Sequence, residues 1–216
     1  MAQLFPRWAN SAVRGLLIAA GVLVAGAPLA LIAWTRTPSA TGQYVAVTQP
    51  IPFSHALHVN GVRIDCRYCH ATAERSATAG LPPTRACVGC HTDLWLNSPP
   101  FEPVRRSVHT GTPIAWQRVT RLPDFVFFNH AVHTRKGIGC ESCHGRVDLM
   151  MQVYQTAPLT MGWCLECHRE PQRYIRPVAE VTHMGWEPTG DQLAMGLKLV
   201  AQYHVRSVTT CTGCHR

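Results

Sequence analysis

Large side chains of the kind that fill a protein interior are scarce in this sequence. Aromatic residues make up 8% of its 216 positions, while glycine and proline supply 16 each. A chain so composed buries only a thin core from its own side chains, so something else must fill the interior. Spare cysteine is lacking too. All ten cysteines fall into pairs at one spacing, which leaves none for a disulfide. Acidic residues are few, 12 against 20 Lys and Arg, for a formal charge of +8. Such an excess ordinarily raises nucleic acid or an anionic membrane surface as a partner.

What is present resolves both shortages. The pairs are Cys66-Arg-Tyr-Cys69-His70, Cys87-Val-Gly-Cys90-His91, Cys140-Glu-Ser-Cys143-His144, Cys164-Leu-Glu-Cys167-His168 and Cys211-Thr-Gly-Cys214-His215. C-x-x-C-H is the attachment sequence of c-type haem. Two thiols form thioethers to the porphyrin edge, and the adjacent imidazole becomes an axial ligand of the iron. A zinc ribbon or a thioredoxin-like pair also uses C-x-x-C. Neither requires a histidine after every pair. The sequence therefore predicts five haem c groups, with His70, His91, His144, His168 and His215 as the motif ligands. Each haem brings two propionates against a core worth about +1 or 0, so five add about −5 to −10 in charge. Arginine near propionates then accounts for the basic excess, and nucleic acid is not needed as a partner.

Gly15 to Trp34 runs twenty residues without a charge. At about 1.5 Å per residue that is roughly 30 Å, one hydrocarbon thickness. Trp8 and Trp34 bracket it as interfacial aromatics do, Pro28 is a site for a kink, and Gly21, Ala25 and Gly26 offer a small-residue face. A cleaved secretory signal is the competing reading, with a site at Ala25-Gly-Ala27, but the apolar run continues well past it. Arg7 and Arg14 precede the span and Arg36 alone directly follows it, favouring a cytoplasmic N-terminus and a periplasmic remainder. Haem c attachment outside the cytoplasm agrees with that orientation.

An internal repeat follows. Phe53-Ser-His55-Ala-Leu-His58 precedes the motifs at Cys66 and Cys87; Phe128-Asn-His130-Ala-Val-His133 precedes those at Cys140 and Cys164. Two irons need four axial ligands, and the motifs supply two of them. His55 and His58, and likewise His130 and His133, supply the other two. Residues at i and i+3 leave a helix on the same side, so they cannot take opposite faces of one porphyrin. They must reach two different irons, which brings two haems close together. The fifth haem lies outside the repeat and needs one more distal ligand, for which His109, His183, His204, Met161 and Met184 are the candidates.

The expected organisation is an anchor over 1–36 with its helix at about 15–34, a linker over 37–52, and a first di-haem module over 53–100. A connector over 101–127, a second module over 128–175 and a fifth-haem segment over 176–216 complete it. The segment 98–103, with three prolines, reads as a loop or stiff connector. The stretch from Asp191 to His204 reads as a short helix capped by Asp191. The fold class expected is mainly α with long loops, almost no sheet, and haems as the core.

These residues resemble the pentahaem cytochrome c subunit of alternative complex III. The resemblance is carried by the N-terminal anchor, Gln49-Pro-Ile-Pro-Phe-Ser-His55, Asp65-Cys-Arg-Tyr-Cys-His70 and Leu122-Pro-Asp-Phe. Phe128-Asn-His130, Met161-Gly-Trp-Cys-Leu-Glu-Cys-His-Arg169 and the closing Cys-His-Arg216 carry it further. The wider class III (c3/c7-like) cytochromes share only the F-x-H-x-x-H and C-x-x-C-H core. The resemblance implies a non-catalytic electron-transfer subunit in a quinol:electron-acceptor oxidoreductase of the inner membrane. Electrons would come from an iron–sulfur subunit and leave to a monohaem cytochrome, a soluble carrier or an oxidase, with quinol bound by separate membrane subunits. It also implies one methionine-ligated haem, which favours Met184 or Met161, then His204, as the fifth distal ligand. A stand-alone quinol dehydrogenase of the NapC/NrfH type and an anchored c3/c7-type carrier are the alternatives. A multihaem reductase would want a motif without its histidine, and all five motifs have one.

Overall fold

The computed structural model describes residues 4–215; Met1 to Gln3 and the closing Arg216 lie outside the described residues. The chain divides into two units, Met1–Gly42 and Gln43–Arg216.

In the first unit, α1 (Ala9–Trp34) is apolar all round and buries none of its residues. Its most apolar window has a mean hydropathy of 2.5, and among the described residues it alone is long and apolar enough to cross a membrane. A helix apolar on every side needs an apolar environment on every side. It starts six residues before the uncharged run, because Arg14 marks the edge of the apolar stretch and not the end of the helix. Pro28 sits inside it without ending it. Thr35 N–H donates to Leu31 O, and the Thr35 and Thr37 hydroxyls donate to Ile32 O and Trp34 O at 2.9 and 2.7 Å. Those bonds occupy carbonyls that the last turn leaves open. A one-turn helix, α2 (Pro38–Thr41), ends on Gly42, where the expected linker was without helix.

The second unit has short helices and isolated bridges but no sheet among its described residues. A π-helical turn (Ala56–Gly61) is followed by α3 (Cys66–Cys69), α4 (Thr84–His91), α5 (Glu102–Thr110) and α6 (His130–Arg135). Then come α7 (Cys140–His144), α8 (Met161–Arg169), α9 (Gln192–Gln202) and α10 (Cys211–Cys214). The side-chain core is thin, as the composition requires. Among the described residues, Ile175 and Val104 are the largest fully buried side chains.

The segment read as a stiff connector at 98–103 is helical instead. A 3-10 turn (Pro99–Phe101) runs directly into α5, with Pro99 and Pro103 in first-turn positions. Proline is tolerated there because the first-turn N–H has no intrahelical acceptor to lose. The stretch after Gly42 is not a free linker either. Tyr44 N–H donates to Gln155 O at 2.8 Å, Gln152 Nε2 to Val47 O at 3.2 Å and Gln49 Nε2 to Gln117 O at 2.9 Å.

Helix α9 forms where expected, with the Asp191 carboxylate accepting from Leu193 N–H at 2.9 Å. It packs on the 3-10 turn Pro171–Arg173, and Gln192 Nε2 donates to Gln172 O and Ile175 O at 3.1 and 2.9 Å. Gly196 is what allows the approach, because a Cβ there would lie 1.9 Å from Gln172 O and 2.7 Å from its carbonyl carbon. Backbone on both sides leaves no flexible atom to yield. Gly196→Ala is therefore expected to destabilise the holoprotein by about 1–3 kcal/mol through overpacking, read as a lower thermal midpoint with haem content unchanged.

Candidate haem-binding sites

Each C-x-x-C pair lies on a short helix, which sets the two cysteines at i and i+3 on one side; His91, His144 and His168 continue their helices at i+4, while His70 and His215 directly follow helices that end at Cys69 and Cys214. Side-chain caps start two of these helices. Asp65 accepts from Arg67 N–H at 2.8 Å ahead of α3, and Thr160 accepts from Trp163 N–H at 3.4 Å ahead of α8. Hydrogen bonds from Arg67 hold the Asp65 carboxyl down at about 2. Burial, helped by nearby Cys167 and Cys164, pushes the Cys143 thiol up to about 12; burial likewise takes Cys167 to about 11. These sulfurs are uncharged and shielded, as thioether sulfurs are. A cleft of about 490 Å³ opens beside Tyr68 and Cys69 and is closed by Gly80, Leu81 and Ala86.

The histidines from the two repeats meet the motif histidines in pairs. His58 and His91 have ring centroids 6.1 Å apart, His130 and His144 6.3 Å, and His133 and His168 6.0 Å. Metal–imidazole bonds of roughly 2 Å on either side of one ion give a centroid separation on the order of 6 Å. The three pairs therefore have room for one metal between their rings. His55 is half-buried near His70. Burial, then the His70, His58 and His144 charges, lowers it to about 4. Burial does the same to His144, and both imidazoles stay neutral, the form that has a lone pair to give.

Tautomers agree with that role. Nδ1 of His58 lies 2.8 Å from Ser54 O, of His70 2.8 Å from Gly80 O, and of His91 3.0 Å from Leu94 O. His130 and His133 do the same with Ala77 O at 3.1 Å and Asn129 O at 2.8 Å. Nδ1 of His215 is 3.4 Å from Phe125 O. A carbonyl only accepts, so Nδ1 carries the proton and Nε2 is left free for iron. Nδ1 of His55 is buried without a partner.

The repeat is geometric as well as sequential. Phe53 stands edge-on to His55 at 4.9 Å and stacks on His58 at 4.3 Å, with interplanar angles of 86° and 27°. Phe128 does so with His130 at 4.7 Å and His133 at 4.4 Å, at 86° and 29°. One aromatic ring thus contacts both imidazoles of each F-x-H-x-x-H repeat.

The candidates for the fifth site are spread out. His109 ends α5 and is exposed, and His183 is an exposed ring paired with Glu180 Oε2 at 2.8 Å. His204 is exposed at a φ of 50°. Met184 follows Thr182, whose hydroxyl donates to Asp65 at 2.9 Å, and precedes Gly185, whose N–H donates to Glu141 Oε2 at 2.5 Å. That places Met184 by the first and third motifs. Met161 opens α8, one turn before Cys164, and its side chain is exposed. No sequence pattern points to the ion pair between Arg176 and Glu141 at 2.8 Å, nor to the backbone carbonyls that hold the rings. The phenylalanines were visible in the F-x-H spacing.

Five attachment motifs whose cysteine pairs lie on short helices, with imidazole rings paired about a metal-sized gap, define a multihaem c-type cytochrome, an electron-transport protein. Residues 126–216 match the family model of cytochrome c7 and related cytochrome c. The chain is also 42% identical over 103 residues to the menaquinone reductase multihaem cytochrome c subunit of Nitratidesulfovibrio vulgaris, covering 47% of this chain. The matched region spans about half of that relative, 48% of its length.

Proposed function

We propose that the chain carries five haem c groups and relays electrons within a quinone-linked membrane complex, without substrate chemistry of its own. Bound at these sites, haem c supplies one-electron exchange through its iron. The residues of the chain fix it by thioethers from Cys66 and Cys69, Cys87 and Cys90, Cys140 and Cys143, Cys164 and Cys167, and Cys211 and Cys214. His55 and His70, His58 and His91, His130 and His144, and His133 and His168 would hold the iron in pairs. His215 is the motif ligand of the fifth. Met161 is preferred over Met184 as its distal ligand, because Met184 neighbours the first and third motifs. The observation that carries this reading is the repeated pairing of rings at 6.0 to 6.3 Å.

The anchor reading is supported by α1, and the Arg7 and Arg14 bias supports a cytoplasmic N-terminus with the haem region periplasmic. An alternative complex III-like role follows from the subunit-level resemblance of the motifs. In that role the chain takes electrons from an iron–sulfur subunit and passes them to a cytochrome or oxidase. The relative's name, a menaquinone reductase subunit, favours a second reading in which electrons run towards the quinone. Purification of the tagged chain in mild detergent tests the complex. Co-elution with an iron–sulfur subunit is expected, with menaquinol reducing the haems in the complex but not in the chain alone. A chain that elutes alone, or oxidises quinol by itself, contradicts the proposal in favour of a carrier or a NapC/NrfH-type enzyme.

A further inference from the structure

We infer that the five attachment sites follow a spatial order different from their order in the chain: second, first, third, fourth, fifth. The first site, at Cys66, joins the two modules to each other, and the second, at Cys87, is an end. This rests on the five-haem reading above and concerns how the chain's own residues set the neighbours.

The second and first sites are neighbours because His58 and His55 leave one helical turn, with Phe53 against both rings. A Cβ on Gly89 of the second motif would lie 3.6 Å from the Tyr68 hydroxyl of the first. The third and fourth sites are neighbours by the same device, since His130 and His133 stand on α6 and face His144 and His168.

The junction between modules is the informative step. Directly after His70 the chain turns across α6. Ser76 O and Ala77 O accept from Ala131 N–H and His130 N–H at 3.1 and 3.2 Å, and Ala77 O also lies 3.1 Å from His130 Nδ1. Ala73 O and Glu74 O accept from the Thr134 hydroxyl and Arg135 Nε at 3.3 and 2.8 Å. On the other side, Cys66 Sγ is 4.0 Å from Thr182 O while Cys140 N–H donates to Val181 O at 2.9 Å. The leading cysteines of the first and third motifs thus touch one dipeptide. The second site has no such ties. Among the described residues, the hydrogen bonds of 84–98 stay within 83–110, as between Thr84 and Ser107 hydroxyls at 2.5 Å and from Arg105 to Ser98 O at 2.9 Å.

The fifth site joins at the far end. His168 O of the fourth motif accepts from the Ser207 hydroxyl at 2.5 Å, four residues before Cys211. Cys214 O accepts from Phe127 N–H at 2.8 Å, beside the Phe128 ring that stacks on His133. Cys90 and Cys211 are the two exposed cysteines of the ten, and they belong to the second and fifth motifs, the two ends.

The test is a cryo-electron microscopy map of the holoprotein in its purified complex, with each iron assigned to the motif whose cysteines hold its porphyrin. The expected result is that the first-motif iron lies closer to the third-motif iron than the second-motif iron does. Five irons with the second nearer than the first to the third contradict the order alone. Fewer than five irons contradict the five-haem reading, and the order with it.

Discussion

Replacing His133 by alanine is expected to open one coordination position on one haem per chain. The His133 ring faces that of His168 at 6.0 Å, is stacked by Phe128 at 4.4 Å, and has its Nδ1 occupied by Asn129 O. On the proposed attachment, thioethers from Cys164 and Cys167 keep the porphyrin in place, so haem content should be unchanged while its iron loses one of two imidazoles. Carbon monoxide should then bind about one haem equivalent that the parent protein does not offer, with a high-spin signal appearing in electron paramagnetic resonance. His183→Ala is the contrast. That ring is exposed and turned to Glu180, so its removal should leave the spectrum as it was. An unaltered spectrum in the His133 variant would contradict the pairing.

The second large effect concerns stability. Arg176 and Glu141 form an ion pair at 2.8 Å with side chains only 8% and 14% exposed. Arg176 also donates to His183 O at 3.1 Å and lies over the Trp186 ring at 4.9 Å. Glu141→Gln leaves a buried guanidinium without its counter-charge, and removing one partner of such a pair costs about 3–5 kcal/mol. The expected result is a marked fall in the denaturation midpoint with haem attachment intact. Replacing both partners by apolar residues, Glu141→Leu with Arg176→Met, should cost much less than the single change, because no orphaned charge remains. Equal losses in the two variants would show that the pair is not what holds this segment.

The pair also explains why two glycines precede Cys140. A Cβ on Gly139 would lie 2.4 Å from the guanidinium carbon of Arg176, and one on Gly137, at a φ of 82°, would lie 2.3 Å from Arg176 O. The motif at Cys140 is therefore seated against an arginine thirty-six residues further on. No local pattern in the sequence announces that contact.

How much was legible depends on the range of the interaction. Each C-x-x-C-H pattern spans five positions and each F-x-H-x-x-H histidine pair stands three apart, so both patterns are plain in the sequence. The Asp191 cap and the absence of sheet were equally local. Pairing was not, because which distal ring meets which motif depends on carbonyls such as Ala77 O and Gly80 O that any residue type could supply. Position within a helix decided the prolines at 99 and 103: as first-turn residues they open the 3-10 turn and α5 in succession, whereas composition alone made them a connector. The distal ligand of the fifth site stayed open in the sequence for the same reason. Only the placement of Met184 beside Asp65 and Glu141 separates it from Met161.

A pyridine haemochrome assay on the purified chain, scaled to protein by amino-acid analysis, tests the central claim most directly. Five haem c per chain, each with the thioether-type absorption band, is the predicted result. Porphyrin well below that number, or released by acid-acetone extraction, would contradict covalent attachment at every cysteine pair.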